Sequence, residues 1–149
     1  MAQVHPYLFR GPRPTDLKAL QALGFKRVIS LQSGVEDKYT DSLIEEQSKR
    51  PQDFGIEYHF IKCRNWLPPR DDQVSYVMSI LAGWDADVKT YIHCHSGVDR
   101  TGFMCAVYRM QIQGWSFVRA YDEWKKEGRH WWFFWWKPFL KRWRNRLVE

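Results

Sequence analysis

Residues 89–102 read "KTYIHCHSGVDRTG", in which a short apolar segment leads through a glycine-containing turn into a run with helical spacing. The first six residues have the length and composition of a buried strand. Beyond the turn, Phe103, Val107 and Met110 recur on one face of a predicted helix, and Gly114 is placed to end it. This stretch therefore predicts a strand, a loop and a helix in immediate succession.

The sequence on both sides of this stretch repeats the alternation of strands and helices. Thr15 and Ser116 are predicted to cap two of the helices, and Asp71 and Asp72 to cap a third, which carries Val74 and its apolar repeat. Strands are predicted over residues 26–32 and 55–63, and helices over residues 16–25, 36–50, 74–81 and 117–127. The alternation predicts one α/β domain over residues 1–149, with a central, mostly parallel sheet flanked by helices.

Composition narrows the class of protein before any motif is considered. Of 149 residues, 44% are hydrophobic and 27% are charged, which excludes a disordered chain and a membrane-spanning one. The net charge of +6 favours anionic ligands. The first residues, "MAQVHPYLFRG", show neither a cationic leader nor an apolar segment, so a cytoplasmic location is expected.

The three cysteines, Cys63, Cys94 and Cys105, are too few and too scattered for a disulfide framework or a tetrahedral metal site. They are expected to be reduced thiols, and no metal or other cofactor is predicted. No feature of the sequence predicts an oligomeric state.

The loop after the strand has the chemistry of a phosphate cradle. A sharp turn that re-enters a helix near Arg100 directs several backbone N–H groups inward at a helix N-terminus, where anions bind. Gly97 and Gly102 allow the backbone to approach closely. The same field favours the thiolate of Cys94, and the planar guanidinium of Arg100 can bind two phosphate oxygens at once. The five intervening residues form the turn between nucleophile and arginine.

The segment "HCHSGVDRTG" resembles the signature of the protein tyrosine phosphatase superfamily, HC-x5-R followed by Ser or Thr, and its flanks are similar to the small dual-specificity branch. The resemblance implies that Cys94 is the nucleophile, that it forms a phosphocysteine, and that Thr101 eases departure of the sulfur. It also implies that the phosphoryl oxygens are held by His95, Ser96, Gly97, Val98, Asp99 and Arg100.

The general acid is harder to assign, because an alkyl leaving group needs a proton. Most of the superfamily supplies it from an aspartate in a loop before the cysteine, and the corresponding residues here, 63–70, read "CRNWLPPR" without a carboxylate. The nearest carboxylates, Asp71 and Asp72, are candidates, although capping the next helix is their simpler role. Asp99 is another, since C-x-x-G-x-D-R-T resembles the loop of the myotubularin phosphatases. The alternative for Asp99 is a carboxylate that binds loop amides and orients Arg100.

The resemblance implies that several basic residues lie on segments near the cradle, which favours a substrate with several phosphates; they are Arg10, Arg13, Lys62, Arg64 and Arg70. This pattern resembles the cysteine phytases, which implies an inositol polyphosphate as a small-molecule substrate and no nucleic-acid partner. Those enzymes commonly carry an additional domain, an export signal and an aspartate in the loop before the cysteine, none of which is expected here from residues 1–149. A dual-specificity phosphatase with a protein substrate is the alternative.

The end of the chain, "WWFFWWKPFLKRWRNRLVE" over residues 131–149, combines aromatic and basic residues. Such a segment can lie on an acidic membrane surface, which would suit a phosphoinositide phosphatase. Covering the last apolar face of the domain, or roofing the site, is the favoured interpretation. A non-catalytic phosphate-binding module is disfavoured by the intact Cys94, Arg100 and Thr101.

Overall fold

The structure is a computed structural model that describes residues 1–33, 55–64, 66–95 and 97–147. The helix predicted over residues 36–50 lies outside these ranges. In chain order the elements are β1 (Ala2–His5), β2 (Leu8–Gly11), α1 (Leu17–Ala22), β3 (Arg27–Ser30), β4 (Glu57–Phe60), α2 (Asp71–Leu81), β5 (Thr90–His93), α3 (Asp99–Gln111), α4 (Phe117–Lys126), a 3₁₀ helix (Trp131–Trp136) and α5 (Lys137–Lys141).

The five strands form one sheet in the order β1-β2-β5-β3-β4. β1 and β2 are antiparallel, and the other neighbours are parallel, which confirms the predicted mostly parallel sheet. β5 lies at the centre with every residue buried. Its carboxyl end, where the quoted loop begins, therefore faces the edge at which ligands bind in open parallel sheets.

Alternating side chains of the sheet enter two separate apolar cores. Val28 and Tyr91 pack with α1 on one face, and Ile29 and Ile92 pack with α2, α3 and α4 on the other. This period of two is what a strand buried on both faces requires. Among the described residues, no helix has both the length and the apolar character needed to cross a bilayer.

Helix α3 runs through the larger core, as its apolar repeat predicts. Phe103, Val107 and Met110 are buried, and the ring of Phe103 meets the indoles of Trp124 and Trp136 edge-on at 5.9 and 6.1 Å. Edge-to-face aromatic contacts of this kind stabilise a core beyond the area they bury. α3 is thus held on the side away from the sheet by α4 and the 3₁₀ helix.

The helix caps are partly as predicted. Ser116 caps α4, its hydroxyl accepting from the backbone N–H of Arg119 at 3.2 Å. The prediction of Thr15 as a cap is wrong by one residue, because the Asp16 carboxylate accepts from the backbone N–H of Lys18 at 2.9 Å. The positive end of the helix dipole also stabilises a carboxylate at this position.

The predicted cap of α2 is also displaced. Arg70 is the N-cap residue, and its backbone N–H donates to the Gln73 side chain at 2.9 Å. Asp71 and Asp72 are the first two helical residues, where the positive end of the helix dipole still stabilises their negative charge. The helix begins at Asp71, three residues before its first buried apolar residue, Val74.

The aromatic tail, which we define as residues 131–147, supplies part of the core. Phe133, Trp136 and Leu140 are buried and belong to the cluster built on α3. The tail therefore covers an apolar face of the domain, in agreement with the favoured interpretation of the sequence. Trp131 and Phe134 are 74% and 59% exposed, so only one side of the tail is used in this way.

Candidate active site

The cradle, residues 94–100, connects the end of β5 to the first turn of α3. Cys94 directly follows β5 and is 1% exposed, and α3 begins at Asp99. The thiol therefore lies beside the N-terminus of a 13-residue helix, where unpaired backbone N–H groups favour an anion. Ser96, predicted to contribute an amide, lies outside the described residues.

Close packing fixes the shape of the cradle. Gly97 has φ +78°, and a Cβ there would lie 2.3 Å from the carbonyl oxygen of Gly11. A Cβ on Gly102 would lie 2.2 Å from Cδ1 of the Trp124 indole. The cradle thus packs closely against the end of β2 at Gly97 and against α4 at Gly102. Neither position accepts a larger side chain without moving its neighbour.

Arg10 secures the cradle from β2 instead of facing the substrate. It is 5% exposed, and its Nη2 donates to the carbonyl oxygen of Gly97 at 2.9 Å. The backbone N–H of Arg13 donates to the carbonyl of His95 at 3.1 Å, a second link between the two segments. The interpretation of Arg10 as a cation at the mouth is therefore wrong, because its charge is buried under the loop.

The Arg100 guanidinium is held at the junction of three segments. It is 6% exposed, and Nη1 donates to the carbonyl oxygens of Leu31 and Cys63 at 3.2 and 3.3 Å. These carbonyls lie just beyond β3 and at the start of the acid loop, which we define as residues 63–70. Two fixed acceptors orient the guanidinium plane, which is what bidentate binding of a phosphoryl group requires.

Thr101 and His93 lie on either side of the cradle and are completely buried. The Thr101 hydroxyl has no hydrogen-bond partner among the described residues, which leaves it available to the sulfur or to phosphate. The His93 ring contacts the Tyr58 hydroxyl through Nε2 at 3.2 Å and the Cys94 carbonyl through Nδ1 at 3.1 Å. His93 therefore holds the backbone at Cys94.

The other two cysteines, Cys63 and Cys105, are buried free thiols. No disulfide joins the three thiols. Burial raises the pKa of the Cys63 thiol from 9.0 to about 12 and also raises the pKa of Cys105. Both thiols stay protonated at neutral pH and are therefore poor nucleophiles. Cys94 is the thiol that lies at the helix N-terminus.

Asp99 has a partner that its sequence neighbourhood does not suggest. One carboxylate oxygen accepts from the backbone N–H of His130 at 2.9 Å, and the other contacts His130 Nδ1 at 2.6 Å. The Asp99 carbonyl oxygen accepts from the Trp124 indole at 3.2 Å. The two sequence-based interpretations were an acid and a carboxylate that orients Arg100. The structure instead ties Asp99 to the loop after α4.

Asp72, the other acid candidate, is ion-paired at the start of α2. Its carboxylate accepts from Arg70 Nε and Nη2 at 3.0 and 3.3 Å, and the side chain is 72% exposed. The hydrogen bond from Arg70 lowers the pKa of Asp72, which keeps the carboxylate ionised and disfavours a role as a proton donor. The Asp71 carboxylate accepts a hydrogen bond from Arg142 Nη2.

The predicted substrate-binding arginines differ in their surroundings. Arg64 is exposed on the acid loop, next to Cys63, whose carbonyl binds Arg100. Arg70 is engaged by Asp72, so its charge is partly compensated. Lys62 is exposed and has φ +54°, an uncommon conformation for a residue with a side chain. The backbone thus turns sharply where the acid loop begins.

The acid loop packs against the aromatic tail. Trp66 stacks on Phe133, with ring centroids 5.9 Å apart and planes inclined by 30°. A cleft of about 360 Å³ separates the two segments and is lined by Arg64, Leu67, Trp135 and Phe139, among others. The tail therefore forms one wall beside the acid loop, in addition to filling the core.

Comparisons with known proteins agree with this geometry. Residues 7–127 match the family model "Swiss Army Knife protein, DSP-PTPase phosphatase domain". No curated protein matches the chain significantly.

Solved structures with a similar fold include the core catalytic domain of the PP-IP phosphatase SIW14 from S. cerevisiae, with a TM-score of 0.75, 16% identity, and 99% of this chain and 86% of that chain covered. P. aeruginosa TpbA follows with a TM-score of 0.63, 24% identity and coverages of 83% and 71%. Kinase associated phosphatase has a TM-score of 0.68, 18% identity and coverages of 89% and 76%. At these identities the likeness shows the fold.

The family match spans most of the chain, and its residues include the whole cradle together with the strand and helix that build it. The similar solved structures share the sheet and helices on which that cradle is mounted. The chain therefore belongs to the dual-specificity branch of the protein tyrosine phosphatase superfamily and is a phosphoric monoester hydrolase.

Proposed function

We propose that the protein hydrolyses inositol polyphosphates, such as myo-inositol hexakisphosphate, through a phosphocysteine formed on Cys94. The observation that carries the proposal is the position of two exposed cations next to the cradle. Lys62 and Arg64 flank Cys63, whose carbonyl binds Arg100.

The covalent step follows from the geometry of the cradle. The Cys94 sulfur attacks phosphorus while the backbone amides and the Arg100 fork hold the equatorial oxygens, on which charge is spread in the transition state. The P–O bond to the substrate breaks and the S–P bond forms. In the second step water attacks phosphorus, and the Thr101 hydroxyl is available to stabilise the departing thiolate.

Charge supports a substrate with more than one phosphate. A monophosphate occupies the cradle alone, whereas each further phosphate on an inositol ring can reach a cation at the rim. Attraction of this kind raises both the encounter rate and the affinity for a polyanion, and the net charge of +6 acts in the same direction. The PP-IP phosphatase activity of SIW14, whose fold is similar over 99% of this chain, is consistent with such a substrate.

A phosphoinositide phosphatase is the second candidate, because the exposed side of the tail is aromatic and basic. Trp131 and Phe134 are exposed, and the chain has no acidic residue between Glu127 and Glu149. Aromatic side chains beside basic ones are typical of surfaces that lie on anionic lipid. The inositol headgroup chemistry is the same for both candidates.

A phosphate-release panel tests the proposal. Myo-inositol hexakisphosphate, a phosphoinositide in vesicles and a phosphotyrosine peptide are compared by kcat/KM, with Cys94→Ser as the inactive control. We expect the soluble inositol polyphosphate to have the highest value. A preference for the vesicle substrate would favour the second candidate, and a preference for the peptide would make the protein a dual-specificity protein phosphatase.

A further inference from the structure

The proton donor for the leaving group is missing from its usual place. Residues 63–70 contain no carboxylate. Asp72 lies just beyond them and is paired with Arg70, which keeps it ionised. An alkyl phosphate still needs a proton on the departing oxygen. The donor must therefore come from another segment that borders the cradle.

His130 and Asp99 form a pair at the rim of the cradle. The Asp99 carboxylate binds the backbone N–H of His130 at 2.9 Å and its ring Nδ1 at 2.6 Å. The Asp99 side chain is 13% exposed and that of His130 is 44% exposed. The carboxylate is therefore shielded, while the imidazole is accessible from solvent. A charge-assisted contact of this length holds the ring strongly.

The pair fixes the direction of the imidazole. With Nδ1 turned to the carboxylate, Nε2 points from the opposite edge of the ring, and it has no hydrogen-bond partner in the part of the chain that the structure describes. The ring also stacks on Trp132, with centroids 4.5 Å apart and planes inclined by 24°. A histidine that acts as a general acid or base is commonly oriented in this way. A carboxylate binds Nδ1, and Nε2 remains available to transfer the proton.

The position of the segment relative to the cradle supports the same conclusion. Asp99 immediately precedes Arg100 and is the first residue of α3. Gly128, two residues before His130, lies against Val98, since a Cβ on this glycine would be 3.7 Å from Val98 Cγ1. The loop after α4 thus borders the last turn of the cradle, on which the substrate phosphate rests.

We propose that His130, oriented by Asp99, donates the proton to the leaving-group oxygen. As Cys94 sulfur bonds to phosphorus, the P–O electron pair passes to the ester oxygen, which takes the proton from Nε2 of the imidazolium. In the second step the neutral Nε2 accepts a proton from the attacking water, and the S–P pair returns to the thiolate. The proposal rests on the phosphatase reaction and is independent of the inositol substrate.

The charged surroundings of His130 are simple. Asp99 faces it from α3. Its neighbour Arg129 turns away, with the guanidinium over the rings of Tyr121 and Trp124 of α4 at 5.4 and 5.3 Å. Asp99 is thus the charged group that pairs with the ring among the described residues. Asp99 acts through His130 and is a positioning residue in this scheme.

His130→Asn tests the proposal, because the Asn amide N–H can still donate to Asp99 while the acid is removed. We expect kcat for an alkyl phosphate to fall by about a hundredfold, and that for p-nitrophenyl phosphate, whose leaving group needs no proton, to change little. His59→Asn is the matched control, since His59 is paired with Glu57 on β4 at 2.6 Å.

Equal losses for the alkyl and aryl esters in His130→Asn, or no loss for either, would overturn the proposal. If this variant does not fold, His130→Gln replaces it in the kinetic test. In addition, ¹⁵N spectra of the His130 ring are compared between the wild-type protein and Asp99→Asn. Ring ¹⁵N chemical shifts of His130 that are the same in the wild-type protein and in Asp99→Asn contradict the pair. A different result is that the enzyme fails to hydrolyse inositol phosphates while His130→Asn still slows hydrolysis of a phosphoserine peptide more than that of the aryl ester. This result would reject the proposed substrate and leave the acid assignment intact.

Discussion

At the scale of single residues, position distinguishes Cys94, the proposed nucleophile, from the other two thiols. Cys94 precedes the N-terminus of α3, whereas Cys63 lies in the acid loop and Cys105 within α3, where burial raises the pKa of both thiols. The arginines divide in the same way, because Arg10 supports the loop and Arg100 closes it. Side chains of one type thus have different roles according to the backbone groups around them.

Replacement of the nucleophile should remove turnover and spare binding. In Cys94→Ser the hydroxyl is not ionised, but the amides and Arg100 remain, so we expect no detectable hydrolysis and a Kd for inositol hexakisphosphate within several-fold of wild type. Arg100→Lys should be nearly as inactive, because a single ammonium cannot replace the fork or both carbonyl contacts. Calorimetry and phosphate release check the two results. Substantial turnover by Cys94→Ser would remove the covalent mechanism.

The buried thiol of Cys63 should make stability depend on alkaline pH. Its folded pKa of about 12 lies above the ordinary 9.0, so the unfolded chain loses this proton first as pH rises. Its contribution is fully present below pH 9 and is lost as pH rises towards 12, by an amount on the order of a few kcal/mol. Urea unfolding from pH 8 to 11 should show a shallower decline for Cys63→Ala. Parallel curves for the two proteins would contradict the assignment.

At the scale of elements, the strand-loop-helix unit could be predicted from the sequence because its signals are local. Apolar β5, the glycine in the loop and the repeat Phe103, Val107 and Met110 all lie within one short stretch. The contact between Asp99 and His130 could not be predicted, since it joins α3 to the loop after α4 across 31 positions. The burial of Arg10 depends likewise on the pairing of β2 with β5.

The close approach of the cradle to β2 is tested by two glycines of similar conformation. Gly97 and Gly55 have φ +78° and +69°, but only Gly97 would place a Cβ against another atom, the Gly11 carbonyl oxygen. We expect Gly97→Ala to reduce kcat for p-nitrophenyl phosphate by at least about tenfold, because the loop must move. Gly55→Ala should carry only the backbone strain, on the order of 1 kcal/mol. Equal kinetic effects would show that the contact is unimportant.

At the scale of the whole molecule, the positive charge should make hydrolysis of polyanions sensitive to salt. Exposed charges are screened beyond about 8 to 10 Å at physiological ionic strength. kcat/KM for inositol hexakisphosphate should therefore fall more steeply with added NaCl than that for p-nitrophenyl phosphate. Arg64→Ala should reduce the difference, and Arg70→Ala should reduce it less, because Asp72 already compensates that charge. Identical slopes for the two substrates would contradict recognition by charge.

The central claim is a cysteine phosphatase site adapted to several phosphates, and the most direct test is a ratio of two specificity constants. kcat/KM is measured for myo-inositol hexakisphosphate and for a phosphotyrosine peptide, with the same protein at the same ionic strength. We expect kcat/KM for the inositol polyphosphate to exceed that for the peptide well beyond experimental error. Cys94→Ser should hydrolyse neither substrate. A ratio at or below one, with the peptide turned over efficiently, would contradict the account.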